Sequence, residues 1–127
     1  MRRAAILGMG QVSAVGAGLP ALKAALGTAP PAPEWVACGS ADARVPVLRA
    51  TPTGLEKLAD PRVIRRMDPF TQRALFAALQ ALGECDASDP LETGVIFVTG
   101  HGPVATTFGY LDAVLERGDS AASPIGF

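Results

Sequence analysis

The stretch TGVIFVTGHGPVATTFGYLDAVLERGDSAASPIGF, residues 93–127, decides the predicted fold. It begins with an unbroken apolar run, Val95 to Val98. A short run of this kind is typical of a strand buried on both faces. A glycine-containing turn follows, and then an amphipathic helix is predicted from about Ala105 to Arg117, with Gly118 as its C-terminal cap. The stretch therefore predicts a strand, a turn and a helix, which is half of a βαβ unit of an α/β protein.

The turn of this unit is the first candidate for a binding site. In open α/β sheets, ligands bind beyond the carboxyl ends of the strands. At that end of the predicted strand the chain passes through Gly100, His101 and Gly102. We therefore expect small-molecule binding, if this chain contributes to it, near these three residues.

Length and composition describe one folded domain. A chain of 127 residues is long enough for one hydrophobic core and too short for two domains. A hydrophobic fraction of 49% with 18% charged residues excludes a disordered chain. The net charge of −1 gives no electrostatic reason to expect nucleic acid or a membrane as partner. Three arginines, Arg62, Arg65 and Arg66, are too few to change that conclusion.

Cysteine usage and the N-terminus predict a cytoplasmic protein. Cys38 and Cys85 lie far apart without CxxC spacing, so they form no zinc signature, and a reduced protein is the simpler expectation. The apolar run Ala4 to Leu7 is too short for the hydrophobic region of a signal peptide. Nothing in the sequence approaches the length of a transmembrane span.

The first 27 residues predict a second strand and a short helix. Ala4 to Leu7 are predicted to form a buried strand that ends at Gly8-Met9-Gly10, and a later apolar stripe predicts a short helix closed by Gly27. The Gly8-x-Gly10 pair leaves a dinucleotide-binding turn open as an alternative to a plain structural turn. That alternative is weak because Ser13 occupies the third glycine position of the fingerprint.

The middle of the chain predicts a surface excursion and the strongest helix. Residues 28–53 contain five prolines, so we expect an ordered excursion with an edge strand near Arg44 to Leu48, anchored to the core by Trp35. Asp68 is predicted to cap a helix that begins at Pro69 and closes at Gly83. Its apolar face is predicted to comprise Phe70, Ala74, Leu75, Ala78, Leu79 and Leu82.

The sequence contains no complete set of catalytic groups. His101 is the only histidine, so neither a Ser-His-Asp set, a Cys-His pair nor a histidine-rich metal site can be built from this chain alone. The carboxylates Asp112 and Glu116 belong to the predicted solvated face of the last helix. We therefore predict no catalytic residue, no metal site and no cofactor in this chain.

Three stretches resemble the N-terminal part of a β-ketoacyl synthase. They are AAILGMGQVSAVGAGLPALKAAL (4–26), ARVPVLRATPTGLEKLADPRVIRRMDPFTQRALFAALQAL (43–82) and the stretch 93–127 quoted above. Their order and spacing resemble the family's opening strand and glycine turn, its arginine-methionine-aspartate helix start, and the strand, turn, helix and Ser-Pro segment that follow. The RRMDPF helix start and the TGHG turn are the most specific pieces.

The resemblance implies a thiolase-like layered α/β/α fold, of which this chain is an incomplete N-terminal portion, and a dimer. It implies membership of the machinery that builds fatty acids or polyketides on acyl carrier protein. Enzymes of this family condense a cysteine-bound acyl thioester with a decarboxylating malonyl unit, using two histidines. Neither that cysteine nor those histidines are matched in this sequence, so this chain alone is expected to be inactive.

The resemblance also marks candidate pocket and interface residues. His101 matches a position at the acyl pocket, and the segment Ser123, Pro124, Ile125 and Gly126 matches a pocket wall near the dimer interface. A histidine buried there without a partner costs about 1–3 kcal/mol and would disfavour a long alkyl chain. The alternative is a His101 that faces solvent or bonds a carbonyl of the turn.

Three functions remain open at this point. The first is the N-terminal portion of a β-ketoacyl synthase-like acyltransferase. The second is a non-catalytic, chain-length-factor-like or structural subunit that dimerises with an active ketosynthase. The third is a nucleotide-binding module that uses Gly8-x-Gly10 or Gly100-x-Gly102. Whether the chain is a fragment or a short protein completed by a partner is also open, because a half sheet leaves unpaired edges and apolar surface in either case.

Overall fold

The computed structural model describes residues 4–39, 43–85 and 93–121. The described residues form four α-helices, two small antiparallel hairpins and two 3₁₀ turns. In chain order these are β1 (Val12–Ser13), β2 (Gly16–Ala17), α1 (Gly18–Ala25), β3 (Glu34–Ala37), β4 (Arg44–Val47), a 3₁₀ turn (Leu55–Lys57), α2 (Pro61–Ile64), α3 (Pro69–Glu84), α4 (Val104–Arg117) and a 3₁₀ turn (Asp119–Ala121). Within these ranges, every helix is too short or too polar to cross a membrane.

Helix α3 is the central element, and its start confirms the sequence prediction. Asp68 caps it, because its Oδ1 accepts the backbone N–H of Phe70 at 2.8 Å and that of Thr71 at 3.1 Å. Pro69 occupies the first helical position, where its missing N–H costs nothing. The predicted end at Gly83 is wrong, because Gly83 is helical and α3 continues to Glu84.

The N-terminal segment packs directly on α3 through its two glycines. A Cβ placed on Gly8 would lie 2.1 Å from the carbonyl oxygen of Ala81, and one on Gly10 would lie 1.8 Å from that of Ala77. Two hydrogen bonds hold the segment, from Met9 N–H to the Glu84 carboxylate and from Gln11 N–H to Gln80 Oε1, both at 3.2 Å. The glycine pair is thus explained by backbone packing, since only glycine permits so close an approach.

The predicted excursion contains an antiparallel hairpin. Strands β3 and β4 pair with Trp35 opposite Pro46, which confirms the edge strand expected near Arg44. A salt bridge joins Arg49 Nε to Glu34 Oε2 at 2.5 Å, although both side chains are largely exposed. The prediction that Trp35 anchors the excursion is wrong, because 55% of its surface is exposed.

Helix α4 matches its prediction closely. It runs from Val104 to Arg117, and Gly118 ends it with φ +74° while donating its N–H to the carbonyl of Val114 at 2.8 Å. Most of its large apolar side chains are exposed, and Phe108 and Leu115 are 60% and 82% exposed, whereas Val114 is half-buried. The periodicity of the sequence therefore predicts the helix correctly, but it does not predict that the apolar face of the helix stays largely exposed.

The predicted strands at 4–7 and 95–98 are wrong for the described structure. Neither segment belongs to a sheet there, and Ile6 and Ile96 are 80% and 92% exposed. A strand needs a neighbour for its backbone hydrogen bonds, and each strand of the two described hairpins pairs only with its own partner. These hairpins neither build nor exclude a thiolase-like layered sheet, so that fold stays a prediction.

The buried core is small. Among the described residues, Leu55 and Phe76 are the buried hydrophobic side chains, with 3% and 4% exposure. The predicted apolar face of α3 omitted Phe76 and included Ala78 and Leu82, which are exposed.

The chain as a whole exposes 10510 Å² of solvent-accessible surface, whereas a compact monomer of this mass exposes about 6,300 Å². The structure therefore carries much apolar surface that it does not bury.

Candidate functional site

The turn between residues 99 and 103 is organised by one threonine side chain. Thr99 Oγ1 accepts the backbone N–H of His101 at 3.3 Å and that of Gly102 at 2.9 Å. Gly102 has φ +65°, a conformation that strongly favours glycine, and its carbonyl accepts the N–H of Val104 at 3.0 Å. The turn thereby directs the chain from the 95–98 segment into helix α4.

The end of this turn forms a small cavity with the start of α3. The cavity has a volume of about 220 Å³ and contains one residue predicted for the site, Gly102, on its wall. The other lining residues are Asp68, Pro69, Phe70, Arg73, Pro103, Val104, Ala105 and Thr106. Gly100 and His101 are exposed and do not line this cavity. Of the three candidate residues of the turn, Gly100, His101 and Gly102, only Gly102 therefore lines the cavity.

Asp68 is the acidic group of this cavity and is ionised over a wide pH range. Partial desolvation of the carboxyl opposes ionisation. Hydrogen bonds from the Thr71 side chain and from the backbone N–H groups of Thr71 and Phe70 outweigh that effect and lower the pKa of Asp68 below its ordinary value. The carboxylate is fully engaged in capping α3, so we assign it a structural role and not proton transfer.

A second, apolar cavity lies between α3 and the segment 95–98. Its volume is about 400 Å³, within the range of small-molecule sites. The ring of Phe97 meets the ring of Phe70 edge-on, with centroids 5.7 Å apart and an interplanar angle of 90°. The lining consists of Met67, Thr71, Ala74, Leu75, Ala78, Val95 and Phe97. Such walls suit an alkyl chain or an apolar side chain and offer no group for proton transfer.

The remaining predicted site residues contribute little to these cavities. His101 is exposed, and no hydrogen bond of its imidazole is found among the described residues, which agrees with the solvent-facing alternative. The segment Ser123, Pro124, Ile125 and Gly126 lies outside the described residues. Within the described ranges, no group of three or more His, Cys, Asp or Glu side chains is placed to hold a metal ion.

The structure brings together a basic feature that the sequence reasoning dismissed. Arg62 and Arg66 line one shallow hollow of about 460 Å³ with Val63 and Met67. Arg65 is exposed next to them, and none of the three guanidinium groups has an ion pair within the described part of the chain. The three arginines and this hollow are called the arginine hollow below.

The arginine hollow is held in a fixed position against α3. Asp60 caps α2 by accepting the N–H of Arg62 at 2.8 Å. The side chain of Gln72 on α3 donates to the carbonyls of Ile64 at 3.2 Å and Met67 at 2.9 Å. The signal in the sequence was the spacing of Arg62 and Arg66, four residues apart, which places two side chains on the same side of a helical turn.

Comparison with known proteins gave no match to any protein-family model, to any curated protein or to any solved structure.

Proposed function

We propose that this chain is the N-terminal portion of a β-ketoacyl synthase-like protein of cytoplasmic fatty acid or polyketide biosynthesis. In this proposal the chain supplies part of the apolar wall of the acyl pocket and a surface that binds acyl carrier protein. The cysteine and histidines of the condensation come from outside the sequence 1–127. The chain by itself is then inactive as an acyltransferase.

One observation carries the proposal: the three stretches that resemble the family meet at helix α3. Gly8 and Gly10 of the first stretch pack on the α3 carbonyls of Ala81 and Ala77. Phe97 of the third stretch packs on Phe70, and α3 up to Leu82 belongs to the second stretch. Gln11 of the first stretch and Gln80 of the second, 69 residues apart in sequence, are thus joined at one helix. If the similarity of the three stretches to the family were accidental, there would be no reason for them to lie next to one another in the structure.

The apolar cavity beside α3 fits the non-catalytic role. It is lined by aliphatic and aromatic side chains, and its one hydroxyl, that of Thr71, is already bonded to Asp68. A wall of this kind can enclose an alkyl chain through the hydrophobic effect, and it cannot activate a thioester.

The arginine hollow supports the proposed partner. Acyl carrier protein presents its acyl thioester on an arm that contains a phosphate group, and arginine guanidinium groups are well suited to bind phosphate. Arg62 and Arg66 border an apolar floor formed by Val63 and Met67. The hollow therefore combines anion-binding groups with a surface on which the apolar part of the arm can lie.

Direct binding to acyl carrier protein tests this proposal. We expect the purified chain to bind phosphopantetheinylated acyl carrier protein in a fluorescence anisotropy titration. The double substitution Arg62→Ala/Arg66→Ala should weaken binding at least about tenfold, since hydrogen bonds to charged groups contribute about 1.5–3 kcal/mol each. The matched control Arg44→Ala/Arg117→Ala removes two exposed arginines elsewhere and should leave the affinity unchanged. Absence of binding, or equal losses in both variants, would contradict the proposal.

A chain-length-factor-like subunit is the second candidate. The observation that favours it is the position of the only histidine on an exposed turn, outside both cavities described above. This candidate predicts that the chain co-purifies with a cysteine-bearing ketosynthase when the two are co-expressed. It also predicts that the pair differs from the ketosynthase alone in the chain length of its product.

A further inference from the structure

Arg73 of α3 lies between two hollows of the surface. One is the cavity of about 220 Å³ described above, which Arg73 lines together with Asp68 and Gly102. The other has a volume of about 430 Å³, and its remaining lining residues are Val47, Leu48, Arg49, Ala50 and Thr51. Arg73 is half-buried, and its guanidinium has neither an ion pair nor a hydrogen bond within the described part of the chain. A bound anion would stabilise a partly desolvated cation of this kind.

The charges around the two hollows decide which of them suits an anion. In the smaller cavity, the ionised Asp68 would repel a negatively charged ligand. The larger hollow contains a second guanidinium, that of Arg49, and the described residues that line it include no carboxylate. This larger space is called the Arg49–Arg73 hollow below. Two positive charges on its wall make it the side of Arg73 on which an anion is attracted.

Arg49 is held in position and still has donors to offer. Its Nε donates to Glu34 Oε2 at 2.5 Å and its Nη2 donates to Glu34 Oε1 at 3.2 Å, across the hairpin. Glu34 does not line the hollow. A guanidinium has five N–H donors, and those on Nη1 of Arg49 make no hydrogen bond within the described residues. One edge of the group is therefore anchored while the other edge is available to a ligand.

The segment after β4 adds further donors to this wall. The hydroxyl of Thr51 and the backbone N–H groups of residues 49–51 donate no hydrogen bond within the described ranges. Guanidinium groups bind phosphate through paired N–H donors, and a phosphomonoester has three terminal oxygens to accept from several donors at once. A carboxylate has only two oxygens and would satisfy fewer of these groups.

The hollow also has room for more than a phosphate group. Its volume of about 430 Å³ is within the range of small-molecule sites, and Val47 and Leu48 give it an apolar wall. We propose that the Arg49–Arg73 hollow binds the phosphate of a small phosphomonoester, whose organic part lies against Val47 and Leu48. The proposal does not depend on acyl carrier protein binding at the arginine hollow, so the two can fail separately.

Nuclear magnetic resonance titration with phenyl phosphate tests this proposal on the full chain. The Nε–Hε signals of Arg49 and Arg73 and the amide signals of residues 49–51 should shift in a saturable way. Phenol, which lacks the phosphate, and sodium chloride at the same ionic strength should leave these signals in place. Inorganic phosphate should shift the same signals with lower affinity, because it lacks a part that contacts the apolar wall.

Substitutions assign the binding to this hollow. Arg73→Gln and Arg49→Gln should each weaken phenyl phosphate binding at least about tenfold, since each removes charge-assisted hydrogen bonds. The matched control is Arg66→Gln, which removes an exposed arginine of the arginine hollow and should leave the affinity at Arg73 unchanged. Far-ultraviolet circular dichroism checks that all variants keep their helices.

Four results would overturn the proposal. The first is the absence of a saturable shift at Arg73, and the second is a shift that sodium chloride reproduces. The third is an equal affinity for phenyl phosphate and inorganic phosphate, which would show that the hollow holds a free ion and no organic part. The fourth is a loss of affinity that Arg73→Gln and Arg66→Gln share to the same extent.

Discussion

Gly10 lies against the backbone of α3 so closely that a Cβ on it would stand 1.8 Å from the carbonyl oxygen of Ala77. Gly8 has the same relationship with Ala81, one helical turn further along. Two glycines that are two positions apart in the extended segment thus contact two carbonyls that are four positions apart in the helix. This contact fixes the N-terminal segment on the helix and leaves no room for any side chain at either glycine.

Gly10→Ala should therefore destabilise the chain. The new methyl group must move the segment away from α3, which weakens the Gln11 to Gln80 hydrogen bond, and overpacking of this kind costs about 1–3 kcal/mol. The free energy of unfolding can be measured by urea titration followed by circular dichroism.

Gly83→Ala is the matched control for that substitution. Gly83 lies in α3, and a Cβ there would meet no atom within 4 Å. Alanine in a helix is favoured over glycine by about 0.5–1 kcal/mol, so this variant should be more stable than the unmodified chain. Equal effects of the two alanine substitutions would refute the packing argument.

Asp68→Ala should remove the cap of α3. The loss of an N-cap acceptor costs about 0.5–2 kcal/mol, and here two backbone N–H groups lose their partner. Asp68→Asn keeps an acceptor oxygen and should retain most of the stability. If the alanine and asparagine variants unfold at the same urea concentration, the carboxylate does not cap the helix in solution.

The cap also predicts a pH dependence. The pKa of Asp68 is lower in the folded chain than its ordinary value of 3.8. A lowered folded pKa means that the stabilisation is present above the unfolded pKa and is lost as the pH falls through the folded pKa. The unmodified chain should therefore lose stability relative to Asp68→Asn when the pH is lowered below 3.8. Urea titrations at several acidic pH values measure the difference, and a constant difference would contradict it.

His101→Ile tests the role of the only histidine in two separate ways. His101 is exposed on its turn, so the stability of the isolated chain should change by no more than about 0.5 kcal/mol. In an assembled synthase, the hypothesis that His101 lies at the acyl pocket predicts longer products from the isoleucine or glycine variant. Unchanged product length in the assembled system would assign His101 to the solvent-facing alternative.

The helices were predictable from the sequence because their signals are local. Asp68 followed by Pro69 specifies a helix start whatever the rest of the chain does, and Arg117 followed by Gly118 specifies an end. The conformation of residues 95–98, which were predicted to form a strand and do not pair in the described structure, was not predictable in the same way. An apolar run shows that a segment prefers to be buried, but it does not say which edge will pair with it.

The candidate site was predictable only in part. The turn that contains Gly102 was predictable, because a Gly-Pro step next to a helix is a local signal, whereas the cavity that it borders with the start of α3 was not. The arginine hollow was missed because its geometry depends on Gln72 bonding back to Ile64 and Met67. Phe76 was missed because the buried face of α3 is chosen by its tertiary neighbours as well as by the periodicity of its own residues.

The attachment of the N-terminal segment to α3 also sets an order of events in folding. The two hydrogen bonds that hold the segment close loops of 69 and 75 residues, whereas the cap of α3 spans two or three. Contacts between distant residues carry a larger loop-closure entropy and form later than local ones. During synthesis on the ribosome, residues 4–11 therefore cannot pack on α3 until the helix has been synthesised as far as Glu84, and they stay exposed to solvent until then. Residues 4–11 are therefore synthesised before α3 but reach their final position only after α3 is present.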